Sequence, residues 1–175
     1  MTGIEVTAVV ANTSFTGSLA QGLLSGASGA ATASIITRGD LTASTGAGPD
    51  PWNKTTAMTI WVDDHAANAK DGSKYQVGLR LTSTLAQSFW YPITGTHVTQ
   101  YLGRTLVFGC WVNYKVRSGS GTYRPFITTS LGTTYGTAIS ATGWTWVEVS
   151  ATIGTTATTI SPGIEFNGAV ADVLY

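Results

Sequence analysis

Apolar and polar positions alternate with a period of two along most of the chain after residue 52. Between Thr105 and Asn113, Leu106, Phe108, Cys110 and Val112 point one way, while Val107, Gly109, Trp111 and Asn113 point the other. That is the period of a strand; a helix would repeat its apolar positions every three or four residues. The same period predicts strands at 57–62, 74–82, 86–91, 122–129, 144–153, 158–166 and 170–175, and a shorter one at 4–10. Turn-formers separate them: DGS at 71–73, RSGSG at 117–121, ATG at 141–143 and NGA at 167–169. Only DDHAANAK, 63–70, reads as a helical turn or two. Many short strands without crossover helices exclude a parallel α/β fold. They predict an all-β chain folded as a two-sheet antiparallel β-sandwich of the jelly-roll kind.

The faces of these strands agree with one another. Tyr75, Val77, Leu79 and Leu81 share a side, as do Val147, Val149, Ala151 and Ile153, and Ile160, Ile164 and Phe166. These are the inward faces of two packed sheets. If the strands share one sheet with 105–113, its outer face presents Trp111, Asn113, Gln76, Arg80 and Glu165. Such a mixture suits a sugar, because rings stack on the apolar face of a pyranose while amides and charged groups bind its hydroxyls. These five are the candidate ligand-binding residues. Trp111 keeps a second reading, as a packing residue under a loop or against a neighbouring subunit. Trp52, Trp61 and Trp90 fall at strand ends, lining a loop-end site or packing there. Trp90 and Tyr91 precede Pro92 and close a strand. Trp144, after Gly143, is expected to cap the core.

Residues 1–50 differ from the rest. Beyond the first strand they are rich in Gly, Ala, Ser and Thr around one strand, ASIIT at 33–37. The expected division is an N-terminal strand and extended arm over 1–50, packing on a neighbour in an oligomer, and a sandwich over 51–175. Charged residues make up 10% of the chain and the formal net charge is zero, against about 25% charged in an ordinary domain. That argues against nucleic acid as a partner, which needs clustered Lys and Arg. No stretch approaches the roughly 20 apolar residues of a spanning helix, so no membrane insertion is expected. The start, MTGIEVTAVV, has no signal-peptide pattern.

Candidate chemistry is sparse. Cys110 is the single cysteine; on an apolar strand face it reads as packing rather than as a nucleophile. His65 and His97 have no metal-ligand spacing. Asp63, Asp64, Asn68 and Asp71 do not follow an EF-hand pattern and read as a solvated turn. RGD at 38–40 reads as a loop. The sequons at Asn12 and Asn53 matter only in a eukaryotic secretory pathway. No motif pairs the carboxylates for glycoside hydrolysis. The expectation is a non-enzyme without metal or cofactor.

The succession KYQVGLRL, YLGRTLVFGCWVNYK, TYRPFITT, GWTWVEVSATIG, TTATTISPGIEF and ADVLY, with PWNKTTAMTIWVDDHAANAKDGSKYQVGLR at its front, resembles a family of jelly-roll domains. These are similar to carbohydrate-binding modules and recur in bacteriophage tail fibre and tailspike proteins. The resemblance covers roughly residues 52–175. It implies a non-catalytic virion surface protein serving host-glycan adhesion, virion assembly or both, with partners among other virion proteins and copies of itself, such as a trimer. Two alternatives stay open: a purely structural capsid decoration or cement protein, and the binding module of a secreted glycoside hydrolase. Surface-type composition without an export signal fits a virion protein made in the host cytoplasm. It fits a domain cut from a longer polypeptide too, as does the abrupt end of ADVLY at Tyr175.

Overall fold

The computed structural model describes residues 7–10, 52–63, 76–115 and 120–175, with the backbone alone for 7–10, 62, 63 and 76. The described residues form twelve strands and one short helix, in chain order β1 Thr7–Val10, β2 Asn53–Lys54, β3 Met58–Asp63, β4 Gln76–Leu81, β5 Gln87–Trp90, β6 Ile93–Thr94, α1 Thr96–Thr99, β7 Thr105–Lys115, β8 Thr122–Thr129, β9 Gly132–Tyr135, β10 Gly143–Thr152, β11 Thr159–Asn167 and β12 Val173–Leu174. They form two antiparallel sheets packed face to face, the β-sandwich that the alternation predicts. Each strand expected after residue 52 forms within three residues of its expected bounds. The arm beyond Val10, the expected strand at 33–37, the RGD tripeptide, Asn12, His65 and the helical stretch at 64–70 lie outside the described residues.

Each sheet is built on one long strand. In the first, β7 pairs with β10 from Thr105 to Tyr114, and on its other edge with β1 and then β12. β4 and β3 complete that sheet beyond β12. In the second, β11 pairs with β8 on one edge and with β5 and β6 on the other. β2 flanks β5, and β9 flanks β8. Both spines alternate strictly, so one side of each is core. Leu106, Phe108, Cys110, Val112 and Tyr114 of β7 are buried, facing Ile160, Ile164 and Phe166 of β11 and Tyr123 and Ile127 of β8.

Aromatic contacts join the two layers. Tyr114 meets Tyr123 and Phe166 edge to face, with ring centroids 5.9 and 5.4 Å away. The Tyr114 hydroxyl donates to Asp172 Oδ2 at 2.9 Å, and the Ala169 backbone N–H donates to the same oxygen at 3.0 Å. Asp172 is fully buried, so these bonds offset the cost of taking its side chain out of water. At the other end Trp52 stacks on Phe89 at 4.7 Å. Its indole N–H has no hydrogen-bond partner among the described residues. It borders an apolar cavity of about 50 Å³ between the sheets, shared with Phe108, Cys110 and Ile164. Cys110 is a buried free thiol whose pKa burial pushes up to about 12. It is packing rather than chemistry.

Burial, and then Asp172 as acceptor, raise the Tyr114 pKa from 10.0 to about 12. A group whose pKa is raised by folding favours the native state while it is protonated. Its contribution is full below the unfolded pKa and is lost as pH climbs through the folded value. The Tyr114 contribution to the midpoint of thermal melts should hold up to about pH 9, below the unfolded phenol's value, and be lost by about pH 12. Tyr114→Phe should cost about 1–3 kcal/mol at neutral pH by removing one of the hydrogen bonds that buried Asp172 accepts. It should also flatten the alkaline limb of the pH profile. An unchanged alkaline limb in that variant would remove Tyr114 as its cause.

Candidate functional site

The outer face of the second sheet carries a straight row of side chains that crosses five of its six strands, β2, β5, β11, β8 and β9. Asn53, Trp90, Gly163, Phe126 and Tyr135 are consecutive cross-strand partners. At a strand spacing of about 4.8 Å this row spans roughly 19 Å. Gly163 is its centre. A methyl group there would fall 2.7 Å from Trp90 Cβ and 2.8 Å from Phe126 Cζ, and would also collide with the Phe89 carbonyl oxygen. The glycine lets aromatic side chains close in from both sides over a strand that contributes none. Phe126 and Tyr135 are in tilted contact at 6.2 Å.

Polar rows flank the aromatic one. On one side Glu165 lies between Ser88 and Arg124, and Thr55 Oγ1 accepts from the Ser88 backbone N–H at 3.1 Å. On the other, Ser161 sits opposite Thr128, whose hydroxyl is 2.9 Å from that of Thr133. Together Thr55, Ser88, Trp90, Phe126, Thr128, Tyr135 and Ser161 line a groove of about 400 Å³. That lies within the usual range for small-ligand sites, roughly 300–1,000 Å³.

A charged pair beside the groove, next to lining residues Ser88 and Tyr135, is tightly organised. Arg124 Nε donates to Glu165 Oε1 at 2.8 Å, and Arg124 Nη2 approaches the same oxygen at 2.6 Å. The Tyr135 hydroxyl donates to Glu165 Oε2 at 3.3 Å. The guanidinium lies over the Tyr135 ring, 3.6 Å from its centroid. Stacking, charge and hydrogen bonding therefore hold one arginine in one place. Among the described residues Glu165 is the sole carboxylate on this face.

The five candidates from the sequence divide between the two sheets. Trp111, Asn113 and Arg80 share the outer face of the first sheet. Gln76 is placed there as a backbone position, across from Asp63. Glu165 belongs to β11 and so lies on the opposite side of the molecule; alternation had fixed its outward direction but not its sheet. Asn113 is 6% exposed, and its backbone N–H and carbonyl are both bonded to Tyr175. That leaves its amide out of a ligand's reach. Trp111 meets Trp146 edge to face at 5.6 Å. Trp61 covers Gly78 and meets Tyr175 edge to face at 6.0 Å, and Trp146 covers Gly109. Trp144 does not cap the core: it is half-buried on this same outer face, opposite Asn113, because Val147 and Val149 set the inward parity of β10. Arg124, Phe126 and Tyr135 were not singled out from the sequence, although TYRPFITT read in alternation puts Arg124, Phe126 and Thr128 on one side.

Neither a protein-family model nor a curated protein matches the chain. Solved structures do share its fold. The C-terminal family 22 carbohydrate binding module of Clostridium thermocellum Xyn10B superposes with a TM-score of 0.53, at 11% identity over 70% of this chain and 79% of that one. The CBM22-1 xylan-binding domain of Paenibacillus barcinonensis Xyn10C gives 0.52, at 15% identity over 70% and 80%. The enzymatically active domain of bacteriophage CBA120 tailspike protein 4 gives 0.48, at 11% identity over 71% and 18%, too loose a likeness to argue from. Identities this low establish a shared β-sandwich of the carbohydrate-binding-module type and nothing about ligands.

Gly163→Ala tests the floor of the groove. The added methyl meets strand backbone, the Trp90 Cβ and the tip of the Phe126 ring, so it should destabilise the fold by about 1–3 kcal/mol. Chemical denaturation reads this directly, and no change in midpoint would show that Trp90 and Phe126 can move apart.

Proposed function

We propose that this chain is a non-catalytic glycan-binding module that seats a sugar chain in the groove between Trp90 and Tyr135. The observation that carries the reading is the cross-strand row. Aromatic surface runs along the floor, with hydroxyl and charged hydrogen-bonding groups on both flanks. Sugars present the matching pattern, an apolar ring face bordered by hydroxyls. The fold supports it, since neighbours of the same architecture are described as carbohydrate-binding and xylan-binding. Weak stacking and hydrogen bonding at one site, repeated over several copies, would provide avidity.

Two settings suit such a module equally. One is the surface of a bacteriophage virion, on a tail fibre, tailspike or capsid-attached protein, which the strand motifs described above favour. The other is a secreted glycoside hydrolase, the setting that the xylanase-derived neighbours favour. Antibody labelling of purified virions separates them.

Titration calorimetry against a panel of linear oligosaccharides tests the site. Trp90→Ala should weaken binding about tenfold or more, as removal of a central aromatic anchor does. Trp111→Ala should leave affinity unchanged. The reverse result would move the site to the first sheet, and an absence of binding to every glycan would sink the reading.

A further inference from the structure

We infer that Glu165 acts as a charge filter at the border of the groove: it keeps Arg124 neutralised, so that the site admits uncharged sugars and turns away carboxylated ones. This rests on the glycan-binding reading and adds a substrate class to it.

The outward positions of the five strands define the charge available to a ligand. Among the described residues these are Asn, Thr, Ser, Trp, Gly, Phe and Tyr, together with Arg124 and Glu165. An acidic sugar needs a cation to offset the desolvation of its carboxylate. Among the described residues Arg124 is the single cation at an outward position of these strands, and two of its N–H donors already converge on Glu165 Oε1. Its stack on Tyr135 fixes the guanidinium where it is. Glu165 is itself anchored by the Tyr135 hydroxyl, and its side chain is only 16% exposed. A uronate reaching for Arg124 would therefore meet a held carboxylate of like charge, close enough to oppose it. A neutral sugar meets no such opposition. Its hydroxyl oxygens can accept from the three guanidinium N–H groups that Glu165 leaves unused, five less two. Exclusion by a fixed repulsive group is a recognised source of specificity.

The test compares matched linear tetrasaccharides, one neutral and one built from the corresponding uronic acid, against the full chain by calorimetry. The wild type should bind the neutral chain at least about tenfold more tightly, with affinity insensitive to salt. Glu165→Gln keeps the shape, removes the negative charge and leaves Arg124 in place. It should narrow that preference about tenfold or more by gaining affinity for the uronate, and the gain should disappear at high salt. Arg124→Gln should retain or widen the neutral preference, because it leaves Glu165 uncompensated. The Arg124→Gln/Glu165→Gln double variant should show no uronate gain. A merely structural role for Glu165 would lower both affinities together and produce no gain.

A wild type that prefers the uronate, an unchanged preference in Glu165→Gln, or a lost preference in Arg124→Gln would each overturn the filter. In those cases the groove remains a glycan site provided that Trp90→Ala abolishes the binding. If Glu165→Gln fails to fold, Arg124→Gln alone decides. Binding of neither sugar type would remove the filter along with the glycan-binding reading.

Discussion

Strand β11 ties the core to the groove. Ile160, Ile164 and Phe166 on one of its sides are buried between the sheets, and Ser161, Gly163 and Glu165 on the other face outward, Ser161 lining the groove and Glu165 lying between groove-lining Ser88 and Arg124. Because the period is two, a slip of one residue would exchange the two sets entirely. The groove's register is thus held by hydrophobic burial on the reverse side of the same strand. No separate device is needed to align Trp90, Phe126 and Tyr135, which occupy one row because Phe89, Ile127 and Ile164 must face inward. Gly163 adds the one local requirement, a crossing point without a side chain.

The sequence makes the strands and their faces legible but not the partition of strands between sheets. Alternation in 105–113 and 158–166 names the inward-facing residues correctly, since that information is local, but not the burial of outward Asn113 beside Tyr175. Which strands pair is set by long-range packing that no window of residues contains, so Glu165 could be grouped with Trp111 although β7 and β11 are the spines of different sheets. β9 was missed for another reason. Gly132–Tyr135 is exposed throughout, and without a buried face it has no alternation to read. Tyr135 was missed with it, as was the ring that supports Arg124. Trp144 shows the converse error. A glycine before a tryptophan says nothing of parity, whereas the valines that follow at Val147 and Val149 do.

The low charge of the chain takes on a sharper meaning at the groove. The Arg124–Glu165 pair is partly exposed, at 36% and 16% for the two side chains. Exposed pairs of this kind add at most about 1 kcal/mol to stability. The pair is better understood as positioning. One carboxylate receives the arginine on one oxygen and the Tyr135 hydroxyl on the other, which leaves a planar cation at a fixed height above the groove with no net charge to present. A site built this way binds by shape and hydrogen bonding, in keeping with a surface whose polarity comes from Ser and Thr more than from ions.

Tryptophan has different roles on the two outer faces, and the glycines explain the difference. On the first sheet Trp61 and Trp146 lie over Gly78 and Gly109, filling the gaps those residues leave. Trp111 then meets Trp146 edge-on. The rings there are occupied in covering their own sheet. On the second sheet Gly163 is closed in at its flanks, by the Trp90 Cβ on one side and Phe126 on the other, and a hollow of about 400 Å³ opens between the rows. Phe126 is itself only 5% exposed, so the ring surface left for a ligand on the second sheet is that of half-buried Trp90 and exposed Tyr135. The number of exposed aromatics on a face is therefore a poor guide to binding. What distinguishes the groove is that its glycine makes room between side chains instead of beneath one.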